Sequence, residues 1–233
     1  MTGPGGLAYD RYPVAGSEEW VMRIGSADAP AIIVLPPLLE EMNRTRALLA
    51  TMMRALAGFG YGCWLPDLPG TGESGRRLDA CDWEDWTAAL ASLADQVRSA
   101  SGRPPVVASL RGGCLLDDRA EARCHWRFAP AEGASLARDL LRSSLIAPAQ
   151  QEGEIVELAG YPLRRSLLER LKATSVPPVS PLRTVRLATD RGDADLKIEG
   201  PALWRRSEPA NAPNLAATLA EDIRAWIVRC DAS

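Results

Sequence analysis

This 233-residue sequence predicts an α/β fold built on a doubly wound, mostly parallel sheet. Three observations carry the prediction. Short apolar runs alternate with segments of 3.6-residue periodicity, the pattern of parallel strands joined by crossover helices. The run at 31–35 is continuously apolar instead of alternating, as expected for a strand buried on both faces. The chain is long enough for one sizeable core and has no linker that would separate two, so the expectation is a single domain over 1–233.

After a glycine-rich start, residues 11–14 and 20–24 flank Ala15-Gly16-Ser17, an opening hairpin. The first buried strand is 31–35. Pro36-Pro37 ends it, and 38–41 is expected as loop. Asn43 is placed to cap a helix with the stripe Leu48, Leu49, Met52, Met53 and Leu56, closed by Gly58 and Gly60. A strand at 61–65 leads into the glycine-punctuated loop 67–74. Asp82 then caps a helix through Trp83, Trp86, Leu90, Leu93 and Val97, which Gly102 stops. A strand at 105–108, a helix at 112–122 and a strand at 124–128 follow.

Beyond Pro130 the rhythm breaks. Helices are expected at 133–146 and 163–171, separated by the short run 153–158 and by Gly160-Tyr161-Pro162; together they form a small cap over about 131–180. Pro177, Pro178 and Pro181 return the chain to a strand at 184–189 and a weaker one at 196–198. Asn214 is placed to cap a final helix through Leu215, Leu219, Ile223, Ile227 and Val228.

Composition excludes several function classes. A hydrophobic content of 46% with 24% charged residues is that of a soluble globule. A net charge of -3 leaves no electrostatic footprint for nucleic acid. The N-terminus has neither a basic nor an apolar signal region, and the longest apolar run, 31–39, is interrupted by two prolines. The expectation is a cytoplasmic protein with no membrane span. The five cysteines, Cys63, Cys81, Cys114, Cys124 and Cys230, form no CxxC pair and read as buried small hydrophobes in a reducing compartment. No cofactor or metal is called for.

The stretch Val106-Val107-Ala108-Ser109-Leu110-Arg111-Gly112-Gly113-Cys114 is the one the chain is organised around. It has the layout of the strained strand-to-helix turn written G-x-S-x-G in α/β-hydrolases, the nucleophile elbow. On that template Arg111 stands where the serine belongs. A guanidinium is never deprotonated in a protein, so it cannot attack a carbonyl. The alternative is an ordinary strand-turn-helix junction with no site.

Two other residues could act as nucleophiles. Ser109 ends the strand, where its side chain is expected to aim away from the crest. Cys114 lies one helical turn beyond Arg111, among cations that would lower a thiol pKa, yet its position points to burial against the sheet. The one histidine, His125, falls inside a strand just past the elbow, whereas the order Ser…Asp/Glu…His requires a histidine after the last strand. It reads as a packed strand residue. Asp190 stands where the triad acid usually stands; with no histidine to orient, it reads as a loop residue or an ion-pair partner of Arg191. Classical serine-hydrolase activity is therefore not expected.

The strongest polar group of residues is Glu40, Glu41, Asn43, Arg44 and Arg46, directly after the strand where hydrolases build half of their oxyanion hole. One reading is solvated helix-cap charges, with acids in the first turn favoured by the dipole. The other is that Glu40 or Glu41 forms a bidentate pair with Arg111 across the crest.

Taken together, these segments resemble the exosortase A system-associated hydrolases, type 2 group, within the α/β-hydrolase superfamily. The resemblance rests on residues 37–46 (the family's P-x-x-E-E-x-N-x-x-R), on 67–74, and on Leu110-Arg111. It continues through 126–130, 140–142, 159–163 and 201–204. The sequence departs from the family in having Ser109 and Gly112 where glycine and leucine are usual. An arginine at the elbow is the family's own habit. The resemblance implies a hydrolase label and a setting in exopolysaccharide production and protein sorting, with exosortase- or polysaccharide-locus proteins as partners. The residues themselves leave three functions open: a hydrolase with a non-standard centre, a binding module for an anionic metabolite held by Arg111 and Arg46, or a structural partner in export or sorting machinery.

Overall fold

A computed structural model describes residues 6–143 and 152–232. An eight-stranded sheet runs through the molecule in the order β1-β2-β4-β3-β5-β6-β9-β10. Strands β1 (Leu7–Val14) and β2 (Ser17–Ile24) form an antiparallel hairpin, and β2 runs antiparallel to β4. All other pairings are parallel: β3 (Ala31–Leu35), β4 (Gly62–Pro66), β5 (Val106–Leu110), β6 (Cys124–Phe128), β9 (Leu182–Leu187) and β10 (Leu196–Ile198). Every residue of β3, β4, β5 and β6 is buried; β3, β4 and β5 accordingly carry almost no polar alternation, whereas β6 buries His125 and Arg127 as well.

Helices α1 (Glu40–Gly58) and α5 (Pro213–Asp231) cover one face, and α2 (Trp83–Ser101) covers the other. Helix α2 follows its sequence signals closely. Asp82 and Asp85 close a reciprocal capping box, each side chain accepting the other's backbone N–H at 2.9 Å, and Gly102 takes the left-handed conformation at the C-terminus. The insertion between β6 and β9 carries α3 (Gly133–Arg142), the two-stranded hairpin β7 (Ile155–Leu158) and β8 (Tyr161–Arg164), and α4 (Arg165–Ala173). Its leucines Leu136, Leu140, Leu163, Leu167, Leu168 and Leu171 join the same apolar core as α2.

Three local expectations are corrected. Asn43 is not a cap: α1 starts at Glu40, behind Leu39, with no side-chain cap, so Asn43 lies inside the first turn. Asn214 is not a cap either, because Pro213 occupies the first helical turn and moves the cap position back to Ala212. No α-helix forms over 112–122; two short 3-10 turns, Arg111–Leu115 and Asp117–Arg119, take its place. The buried side chain of Asp117 is held inward against β6, which turns the chain out of the helical path. Helix α3 ends at Arg142, and the remainder of the expected 133–146 helix reaches into 144–151, outside the described residues.

Candidate functional site at the sheet crest

Strand β5 lies in the middle of the sheet, between β3 and β6, and Arg111 follows it directly. Among the described residues, five that are not glycine have positive φ. Two, Ala15 and Ala159, make hairpin turns with Gly16 and Gly160. The other three, Leu39 (φ 54°), Arg111 (φ 52°) and Ala129 (φ 47°), follow β3, β5 and β6, so the strained backbone gathers at the carboxyl edge of the three central strands. Gly113 makes the turn possible: a Cβ there would lie 2.5 Å from the Pro36 carbonyl and 2.8 Å from that of Leu35.

Arg111 meets Glu41 in a two-pronged ion pair, Nη2 to Oε1 at 2.9 Å and Nε to Oε2 at 3.1 Å, with the side chains only 12% and 13% exposed. Helix α1 begins with Glu40 and Glu41 because a helix N-terminus favours acids, and this puts a carboxylate beside the elbow. Burial pushes the Glu41 carboxyl above the usual carboxylate range, although the Arg111 guanidinium draws it down. Arg111 also donates to the Ala129 carbonyl at 3.4 Å and lies 4.8 Å over the Trp204 ring.

The other residues singled out in the sequence go elsewhere. Glu40 pairs with Arg44, whose Nη1 donates to the Trp204 carbonyl at 2.9 Å. Asn43 donates to the Tyr161 hydroxyl at 3.1 Å, tying α1 to the β7–β8 hairpin. Arg46 faces Asp67 at 3.6 Å in the loop after β4. Asp190 does follow β9, but it pairs with Arg186 at 2.8 Å and not with Arg191. Although burial acts in the other direction, the Gly192 N–H and the Arg186 guanidinium hold the Asp190 carboxyl below its usual range.

Below the elbow lies a buried polar cluster that the sequence reading missed. Asp117 is fully buried and takes both prongs of Arg127 at 2.7 Å, and Ser109 donates to the same carboxylate at 2.8 Å. One signal for it was present: Arg127 is a charge in a buried strand, between Trp126 and Phe128, and such a charge requires a partner. His125 joins the margin of this cluster, Nε2 lying 3.3 Å from the Asp117 carbonyl, and burial keeps its imidazole pKa below the usual value. Its register position is three residues below Phe128, roughly 10 Å from the crest at about 3.3 Å per residue. Cys114 is fully buried, and burial pushes its thiol up to about 12, so it stays protonated.

Two cavities open at the crest on either side of the Arg111–Glu41 pair. One of about 500 Å³ is lined by Glu41 and by Leu38, Leu39, Leu136, Leu140 and Leu171. The other, of about 570 Å³, is lined by Arg111, Arg138, Arg186, Arg191 and Arg205, with Glu132 and Asp190 as its acids. Ser135, Trp204 and Arg205 line both. Among the described residues no group of His, Cys, Asp and Glu could hold a metal, and no helix is long and apolar enough to cross a membrane.

Against solved structures, this arrangement matches throughout its length. The chain has the α/β-hydrolase fold. Est1E from Butyrivibrio proteoclasticus, whose structure holds ferulic acid, is similar at 11% identity with a TM-score of 0.65, over 96% of this chain and 100% of that one. Mouse α/β-hydrolase domain-containing protein 10 is similar at 14% identity and a TM-score of 0.63, over 96% and 99%. A serine hydrolase without a lid from Xanthomonas campestris gives 14% and 0.56, over 97% of each chain. No protein-family model matches the chain, and no curated protein does. On this fold, Arg111 directly follows β5, Leu38 and Leu39 lie between β3 and α1, and Asp190 follows β9.

Proposed function

We propose that this protein is an α/β-hydrolase-fold binding protein that takes an anionic ligand at the crest and does not perform serine-hydrolase chemistry. The observation that carries the reading is Arg111 at the elbow, at the carboxyl end of the central strand where open α/β sheets bind ligands. A guanidinium there cannot be a nucleophile but is well suited to hold a carboxylate or phosphate. The buried positions of Ser109 and Cys114, and the depth of His125 in β6, leave neither a substitute nucleophile nor a histidine base at the crest. The strained backbone at Leu39, Arg111 and Ala129, on the order of 1–3 kcal/mol each, supports a site whose geometry is kept for a ligand. Resemblance to the exosortase A system-associated hydrolases supports a setting in exopolysaccharide production and protein sorting, with partners from that locus and a cytoplasmic location.

A thermal-shift screen of small anions tests the reading, alongside labelling with a fluorophosphonate and turnover of aryl esters. Stabilisation by phosphate or carboxylates, lost in Arg111→Ala, is expected, with no labelling and no turnover above background. Arg111→Ser should not create esterase activity, because the one histidine, His125, is buried in β6 and not beside it. Turnover by the wild-type protein that disappears in Cys114→Ala or Ser109→Ala would overturn the proposal.

A further inference from the structure

The two crest cavities differ in how their charges are balanced, and that difference describes a ligand. In the cavity beside Glu41, the charged groups are largely matched within the fold: Glu41 with Arg111, Glu40 with Arg44, and Asp139 with Arg142 at 3.5 Å. The remaining surface is the five leucines and the Trp204 ring, with Ser135, Ser143 and Arg205 beside them. In the cavity beside Arg111 the balance is reversed. Arg111 and Arg186 have carboxylate partners, but among the described residues Arg138, Arg191 and Arg205 form no ion pair. One acid of that wall, Asp190, is committed to Arg186, and the other, Glu132, accepts the Val176 N–H at 3.1 Å. Each cavity falls within the roughly 300–1,000 Å³ of small-molecule sites, and the shared lining of Ser135, Trp204 and Arg205 makes them neighbours.

We infer that the ligand is an anionic amphiphile, a phosphate monoester on an aliphatic chain. The phosphate sits among Arg138, Arg191 and Arg205, and the chain crosses Trp204 into the leucine-lined cavity. Three guanidiniums without carboxylates suit a phosphate, which offers three acceptor oxygens and close to two negative charges. The leucine walls gain free energy only when an apolar group displaces water from them. The inference rests on the anion-binding reading above and narrows it to one ligand class.

Calorimetric titration of the full chain with octyl phosphate, inorganic phosphate and 1-octanol tests it, each below its aggregation limit. Octyl phosphate should bind at least tenfold more tightly than either of the others. Replacing both Arg138 and Arg191 by Gln should weaken octyl phosphate at least fivefold and leave octanol unchanged. Leu140→Asn should bring octyl phosphate close to inorganic phosphate. Equal affinity for octyl and inorganic phosphate would overturn the amphiphile while leaving anion binding in place. Octanol binding as tightly as octyl phosphate would overturn the phosphate site. Failure of both phosphates to bind would overturn this inference, and failure of the carboxylates in the anion screen as well would remove the anion-binding reading with it.

Discussion

Arg111 and Glu41, 70 positions apart in the chain, close a bidentate ion pair across the crest of the sheet, with both side chains nearly out of solvent. Two distant segments are joined directly after the central strand β5. Arg111→Ala leaves the Glu41 carboxylate buried without its partner and should destabilise the protein by about 3 kcal/mol, the lower end for a broken buried pair. Arg111→Lys keeps the charge but not the two-pronged geometry, so it should fall between wild type and alanine. Urea unfolding measures both.

The deeper pair, Asp117 with Arg127, has side chains 0% and 5% exposed. Asp117→Asn or Arg127→Met alone should cost roughly 3–5 kcal/mol, because each leaves a charge stranded in the core. Changing both, to Leu and Met, should recover much of that loss, and a double-mutant cycle in denaturant reads the coupling. Ser109→Ala removes one hydrogen bond to the same carboxylate and should cost about 1–3 kcal/mol.

The elbow turn is held against β3 by the absence of a side chain. Gly113→Ala would push a methyl into the backbone carbonyls of Leu35 and Pro36, which cannot yield without moving the strand end. At Gly112 the nearest atom is the Leu136 side-chain tip at 2.7 Å, which can turn aside. Thermal unfolding should therefore show the larger loss for Gly113→Ala, about 1–3 kcal/mol, and a smaller one for Gly112→Ala.

Asp222 on α5 accepts Arg183 through both oxygens and the Trp126 indole N–H at 2.8 Å, joining α5 to β9 and β6. Burial alone would raise its carboxyl, but these donors outweigh it and hold the pKa below the ordinary value of about 3.9. The unfolded chain therefore takes up the proton first. Stability from Asp222 is fully present above about pH 4 and is lost as pH falls through the folded-state value. Asp222→Asn should cost about 1.5–3 kcal/mol at pH 7, and the gap to wild type should close below pH 4 in acid titrations of urea unfolding.

The resolved strands and the capping box were legible because they are local. A buried parallel strand needs a short apolar run, as at Ala31–Leu35, and a capping box needs two residues three apart, as Asp82 and Asp85 are. The elbow was legible for the same reason, since Leu110, Arg111 and the two glycines sit together in the chain.

What followed the elbow depended on contacts made elsewhere. The periodicity of 112–122 is compatible with a helix, but Asp117 is drawn to Arg127 on β6, and the turn tightens instead. Whether Glu40 or Glu41 reaches Arg111 depended on where α1 begins, because adjacent helical residues point about 100° apart at 3.6 residues per turn. Leu39, with its left-handed backbone, sets that start and sends Glu40 to Arg44 and Glu41 to the crest. The sequence alone determined an α/β sheet with an arginine at its elbow. Only the tertiary structure decided which carboxylate faces that arginine and which arginines stay unpaired around it, because both depend on distances between segments far apart in the chain.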